Sequence, residues 1–400
     1  MKVSRWVLIV ALACGGFGIG VSEFLVMGLL PRIAEDLLPE LMRTNRDAAL
    51  AATGGMASAY AAGVVVGIFA TPFIVRKFSE RRALLFCAGS MVLWTVLTAV
   101  APTLGLAITL RFLSALTHAS FIGLGAMAIA HLLGSRSYGR GSAIVHGGLA
   151  LANLVGVPAL TGLGEFVEWR LILGGCAVFF VVPFVAVLTI DVPSASRGAP
   201  EAVVARLRKG SLTLLFFAAV VGAAGGFTII TYVAPVTLWV RGDDTWLTAA
   251  SGMLVFGVGM NVGNLVSGML ADRAASLMFG MSLLAGLLGA GLLMIAEVGG
   301  VGAASGVLLI GVLLGGQGPA GQVLYLRELA RYPRLASTLP SGAGNLGSFA
   351  GALVGGGLLA GAGPAVIPLG AALLVALAGL AFVAYVRASG SAKHRGEGAA

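Results

Sequence analysis

Charge is what this 400-residue chain has least of: 10% of its residues are Asp, Glu, Lys or Arg, against roughly 25% in ordinary soluble domains. Hydrophobic residues make up 58%. So little charge cannot clothe a water-soluble surface, and the composition is that of a polytopic membrane protein. Strands are set aside because the apolar runs are continuous, whereas barrel strands alternate. Cysteine is scarce too. Cys14, Cys87 and Cys176 all lie within apolar runs without metal-ligand spacing, and read as packing residues. Also missing are a GxxxxGK[ST] phosphate loop, a dinucleotide fingerprint, a metal cluster and any extramembrane segment large enough to fold alone. Neither an enzyme nor a cofactor is expected, and ATP-driven transport would need a separate chain.

The net charge of +9 could suggest nucleic acid. The basic residues instead form short clusters between apolar runs, which points to orientation in a bilayer and to no nucleic-acid partner. At the N-terminus, Lys2 and Arg5 precede an apolar stretch in the manner of a secretory signal. That stretch continues past Cys14 to Leu30, long enough to cross a bilayer, and reads as an uncleaved span.

Apolar runs fall at about 6–30, 50–75, 83–101, 104–132, 141–164 and 170–190, and again at about 211–240, 246–270, 276–296, 301–326, 336–362 and 364–386. These twelve predicted spans make an all-α membrane protein of two six-helix bundles, residues 1–190 and 211–400, joined by a polar linker over 191–210. With the N-terminus inside, nineteen of the twenty-five Lys and Arg residues fall on the inner side and five on the outer, and Arg111 lies within a span. The positive-inside rule therefore predicts both termini in the cytoplasm of a cell whose inner or plasma membrane holds the chain.

An internal repeat is visible in short patterns. Gly67 to Thr71 ends span two as Gly268 to Arg273 ends span eight, and Asn153 with Gly156 in span five matches Asn345 with Gly347 in span eleven. The offsets are 201 and 192 residues. They predict two homologous halves of parallel topology related by a pseudo-two-fold axis.

One carboxylate stands out. Glu23 lies within the first span, in GGFGIGVSEFLVMGLLP, where an ionisable group is costly unless it is partnered or functional. Arg111 enters span four to the same depth, roughly 10 Å below the outer boundary at the helical rise per residue, and His118 follows one heptad later. Glu23 and Arg111 are expected to interact directly or through water, with Glu23 the proton or substrate group and His118 a relay or donor. The bland alternatives are a structural salt bridge for the pair and a packing role for His118. His131 and His146 are expected to be interfacial.

Four stretches resemble the twelve-helix drug:proton antiporter branch of the major facilitator superfamily, and within it the arabinose-efflux-permease and chloramphenicol-efflux-like members. They are FGIGVSEFLVMGLLP, AAGVVVGIFATPFIVRKFSERRALL after Tyr60, LRFLSALTHASFIGLGA, and ALANLVGVPALTGLG followed by Glu168, Trp169 and Arg170. The C-terminal half matches chiefly through GMLADR. The resemblance implies a monomeric secondary transporter that exports a small molecule in exchange for protons by alternating access. It also implies gating roles for Gly67, Thr71, Arg76, Arg81 and Arg82, for Asn153, Gly156 and Pro158 of the antiporter motif, and for Gly268, Asp272 and Arg273. One departure is plain: Thr71 stands where the family's loop motif has Asp, so the cytoplasmic latch is expected to rely on Asp272.

The second half places Thr228, Thr231, Tyr232, Asn261, Asn264, Gln317, Gln322, Tyr325 and Asn345 in its spans, none of them charged. Any proton site is therefore expected in the first half. Candidate walls of the substrate cavity are Phe17, Phe24, Met27, Tyr60, Phe227, Tyr232, Asn261 and Gln317, a mostly apolar set that favours an amphiphilic compound. Two rivals stand beside this reading: a sugar or metabolite carrier of the same fold, and a membrane sensor or scaffold that transports nothing.

Overall fold

The structure is a computed structural model that describes residues 2–75, 78–134, 138–190, 210–241, 244–295, 299–330 and 333–397. Eleven of its helices are long and apolar enough to cross a membrane. One of these, Ala249–Leu293, is 45 residues long and is broken by non-helical backbone at Ala274, so it supplies two spans and the total among the described residues is twelve. Arg76, Lys77 and most of the expected linker lie outside the described residues.

Span one is an unbroken helix, Lys2–Leu37. Span two (Gly55–Val75) follows two short helices, and span three is Glu80–Ala99. Span four is broken into Leu104–Ala115 and His118–Leu133. Span five carries a π-helical segment, Ala152–Gly156, between Tyr138–Leu151 and Val157–Leu163. The extra residue of that segment sits just before Pro158, which has no N–H to continue an α-helical ladder. Span six comprises Trp169–Gly175 and Val178–Thr189. Span seven is Gly210–Ile230 continued by Val233–Val240, span ten Gly299–Glu328, span eleven Pro333–Ala362 and span twelve Ile367–Glu397.

The chain forms two compact units, Met1–Gly198 with Ala249–Leu254, and Ala199–Thr248 with Val255–Ala400. In the first, Arg170 ties three spans together. Its guanidinium pairs with Asp36 at 2.9 Å and donates to the Ala99 and Ala101 carbonyls at 2.9 and 2.8 Å, and Trp169 Nε1 donates to the same carboxylate. In the second, Glu328 at the end of span ten accepts from Ser211 and Ser389, which ties spans seven and twelve to it.

Small residues set the helix spacing, as expected where lipid offers no hydrophobic drive between helices. Gly63 and Gly67 of span two lie against the Phe112 and Leu116 carbonyl oxygens of span four, so close that a Cβ would stand 2.3 and 2.1 Å away. Gly259 and Gly263 of span eight lie in the same way against the Leu308 and Val312 carbonyls of span ten, at 2.0 and 2.6 Å. Each equivalent residue is 196 positions further on, in both helices. Gly148 of span five meets Ala13 O and Phe17 N of span one, and Gly347 of span eleven meets Val220 O and Ala224 N of span seven, giving steps of 199 and 207.

These contacts correct the equivalences drawn from the sequence. Gly263, not Gly268, stands where Gly67 does, and a Cβ on Gly268 would meet nothing within 4 Å. The equivalent of Asn153 is Ala352, not Asn345. A five-residue pattern in a chain of 61 glycines matches by chance more readily than a carbonyl fits against a missing Cβ.

Candidate functional site

Arg111 is 1% exposed, and its burial must be met by partners because an unpaired buried cation costs several kcal/mol. The partners are on spans one and two. Nη1 donates to Ser22 Oγ at 2.9 Å and Nη2 to the Ser22 carbonyl at 2.6 Å. The guanidinium carbon stands 4.3 Å from the centroid of the Tyr60 ring, a cation–π contact worth about 2 kcal/mol when desolvated. Nε has no hydrogen-bond partner among the described residues.

Of the two forms expected for the interaction of Arg111 with Glu23, direct or through water, no direct hydrogen bond or ion pair is present among the described residues. The guanidinium takes the serine beside the glutamate, in both its side chain and its main chain. Glu23 is half-buried, and its carboxylate makes no hydrogen bond or ion pair among the described residues. A carboxyl group and a guanidinium thus lie in one small region, and among the described residues only the guanidinium is held by hydrogen bonds.

His118 is joined to this group through Tyr60, whose hydroxyl lies 3.2 Å from His118 Nδ1. The imidazole is 4% exposed. Tyr60 thus serves two partners at once, the ring face for Arg111 and the hydroxyl for His118. The break in span four falls between them. Leu116 O, at that break, accepts the Thr71 hydroxyl, and Thr117 Oγ1 donates to Cys87 O of span three at 3.5 Å.

The other predicted residues are dispersed. Phe17 packs edge-on against Phe179 at 4.9 Å and against Gly156. Phe24, Met27 and Phe227 are buried, Tyr232 donates to Ala352 O, Asn261 donates to Gly257 O, and Gln317 is buried beside Gly222. Arg81 binds the Val187 and Leu188 carbonyls and so finishes span six, while Arg82 is exposed. Asn153 is buried in the π-helical segment. Asp272 and Arg273 are exposed, and Arg327 takes the Asp272 carbonyl, not its carboxylate, at 2.9 Å. His146 is exposed and bonds to Ser142 O, whereas the His131 Nδ1 is buried without a partner among the described residues.

Two residues escaped the sequence reading. Ser22 is hidden by its size, although it adjoins Glu23. Glu80 is 4% exposed with neither carboxylate oxygen bonded among the described residues, and sits in the first turn of span three, where a boundary drawn at residue 83 left it in a loop.

The repeated frame allows a direct control. By the steps above, Ser22, Glu23, Tyr60, Arg111 and His118 correspond to Ile229, Ile230, Phe256, Val307 and Leu314 in the second unit. All five are apolar, and the first four are fully buried. The same helix packing is thus built with no polar group at these positions.

The family model described as Major Facilitator Superfamily matches residues 12–339. The chain belongs to that superfamily. It is 35% identical to the inner membrane transport protein YdhP of Escherichia coli K12 over 280 residues, 69% of this chain and 68% of the relative. It is 30% identical to the putative transporter AraJ of the same organism, over 68% of this chain and 66% of that one. The chloramphenicol resistance protein of Streptomyces lividans is 28% identical over 66% of each chain. Among solved structures, a D-xylose–proton symporter aligns with a TM-score of 0.73 at 14% identity, covering 94% of this chain and 97% of its own. The nucleoside transporter NupG gives 0.70 at 14% identity, over 96% and 98%. At that identity the structural likeness shows the fold alone. The protein is a multi-pass membrane transporter of the superfamily fold.

Proposed function

We propose that the chain exports a small amphiphilic compound across the inner membrane in exchange for protons, as a monomer with both termini in the cytoplasm, and that Glu23 is the group shared between proton and substrate. The observation that carries this reading is the contrast between the two frames. Ser22, Glu23, Tyr60, Arg111 and His118 occupy positions that the second unit fills with Ile229, Ile230, Phe256, Val307 and Leu314, so packing does not require them. Polar groups that a membrane fold does not need, yet carries at depth, are there for function.

Within the group the roles divide. Arg111 is a fixed cation, pinned by Ser22 and Tyr60. Glu23 has no direct partner among the described residues, so its carboxylate remains free to take a proton or to meet a polar group of the substrate. If the two compete for one carboxylate, loading one releases the other, which is the requirement for exchange. Export, and not uptake, is supported by the kinship with the chloramphenicol resistance protein.

Chloramphenicol and ethidium serve as probes in everted vesicles from a pump-deficient bacterial host. Adding either probe to vesicles with an acid interior is expected to release protons, and Glu23→Gln is expected to abolish that release at undiminished expression. Proton release by Glu23→Gln at the unsubstituted rate would overturn the coupling role.

A polar metabolite is the second reading. It is favoured by the buried polar atoms that lack partners among the described residues of the second unit, Thr231 Oγ1, Gln317 Nε2 and Asn345 Oδ1. Exchange of a labelled pentose or nucleoside in the same vesicles, with no response to either probe, would select it.

A further inference from the structure

We infer that Thr71 is a positioning residue for the Arg111–Tyr60–His118 group, acting through the broken turn of span four; this rests on the proposed role of that group in proton coupling. A continuous helix would run through Leu116 and Thr117, but Leu104–Ala115 stops there and His118–Leu133 restarts. The Leu116 N–H bonds back only three residues, to Leu113 O at 3.3 Å. A carbonyl at such a break needs a donor from elsewhere, since a buried, unpaired backbone oxygen costs about as much as a lost hydrogen bond.

Span two supplies the donor. Thr71 is 1% exposed and its hydroxyl donates to Leu116 O, the same oxygen against which Gly67 is packed one turn earlier. Gly67 lets span two come close, and Thr71 bonds what the close approach reaches.

The second unit shows that the break is not a by-product of this packing. Gly263 lies against Val312 O as Gly67 lies against Leu116 O, yet span ten continues without interruption from Gly299 to Glu328. There the equivalent of Thr71 is Ser267, and its hydroxyl donates to Gly316 O, one turn further along. The hydroxyl on span two or eight is thus present in both units, but only in the first does it fasten a broken turn.

The position of the break gives it consequence. Arg111 lies on the segment before it and His118 on the segment after it, and Tyr60 of span two touches both. Thr71 and Tyr60 therefore hold the two segments from one and the same helix. If the angle between the segments opened, the ring could keep the guanidinium or the hydroxyl could keep the imidazole, but not both. Thr71 fixes that angle. The titratable groups around His118 are Tyr60 from span two, Cys87 from span three beside Thr117, His146 from span five, and Arg111 on its own span. None of them makes the bond that Thr71 makes.

The test compares Thr71→Val, which keeps the shape and removes the donor, with Thr71→Ser, which keeps the donor. The chain has four histidines, so nitrogen-15 histidine spectra of the full-length protein in nanodiscs are assigned with Thr71-intact His118→Asn as the reference. Thr71→Val is expected to move the His118 Nδ1 resonance away from its hydrogen-bonded position, and to lower proton-coupled probe efflux roughly fivefold, the factor one net hydrogen bond supplies. Thr71→Ser is expected to restore both. An unmoved His118 resonance in folded Thr71→Val protein overturns the inference, and so does an equal disturbance in Thr71→Ser. Failure of the coupling reading is seen separately, as unchanged proton release in Glu23→Gln with the His118 resonance in place.

Discussion

The guanidinium of Arg111 lies 4.3 Å above the ring of Tyr60 and is held there by two hydrogen bonds to Ser22, the neighbour of Glu23. This makes Arg111 the strut between spans one, two and four, and Glu23 a group the strut leaves free. The two charges should then behave differently on substitution. Arg111→Lys offers a point charge in place of a planar fork, and cannot bond both Ser22 oxygens while lying flat on the ring. A loss of about 2 kcal/mol or more is expected, read as a lower melting temperature in detergent. Glu23→Ala breaks no direct contact and is expected to melt close to the unsubstituted protein. Equal losses in the two variants would refute the division of roles.

Tyr60 can be dissected because its two contacts use different atoms. Tyr60→Phe keeps the ring face for Arg111 and removes the hydroxyl, which meets His118 and also Ser22. Stability should fall by about 1 kcal/mol for each hydrogen bond lost. Tyr60→Leu removes the ring face as well and should cost more. If transport follows the histidine contact, Tyr60→Phe will already have lost most proton-coupled efflux. Efflux that is intact in Tyr60→Phe and lost only in Tyr60→Leu would move the functional weight from His118 to Arg111.

The sequence revealed the spans, because apolar runs are a property of composition, and it brought Glu23, Arg111 and His118 to notice, because charge in such a run is rare. Their connections were less accessible. Depth along two helices gave Arg111 and Glu23 the same height, but height does not say which way a side chain turns, and the guanidinium turned to Ser22. In the sequence Tyr60 reads as a cavity wall, since nothing in its neighbours shows that it reaches across to span four. The break at Leu116 has no glycine or proline to announce it, so span four read as one helix. Thr71 was noticed as a departure from a family pattern, and only the packing against Leu116 says what it does. Glu80 is not legible because the apolar run begins at residue 83, three residues after the start of the helix that buries its carboxylate.

Close helix contacts predict which glycines tolerate a methyl group. In span five, a methyl group added at Gly147 would meet nothing within 4 Å, while the Cβ of an alanine in place of Gly148 would fall 2.2 Å from the Ala13 carbonyl of span one. Gly147→Ala should therefore express and melt as the unsubstituted chain does. Gly148→Ala must push spans one and five apart and should cost about 1–3 kcal/mol, as overpacked cores do. Gly67→Ala should behave like Gly148→Ala, because the Leu116 carbonyl stands at 2.1 Å. Detergent-solubilised monomer yield on a sizing column ranks the three. A tolerant Gly148→Ala would mean that the contact between spans one and five is looser than the backbone geometry indicates.

Orientation rests on arginine and lysine alone, and it can be read with a thiol reagent that does not cross membranes. The native background is low: Cys87 and Cys176 are buried and Cys14 is half-buried within span one. Thr44 ends an exposed short helix between spans one and two, and Ser79 is the exposed cap of span three. They sit at opposite ends of span two, so a reagent added outside cells can reach only one of them. With nineteen of twenty-five basic residues on the side of Ser79 and five on the side of Thr44, that one should be Thr44→Cys. Ser79→Cys should label only after the cells are opened. Labelling of Ser79→Cys in intact cells, with Thr44→Cys protected, would invert the topology and place both termini outside.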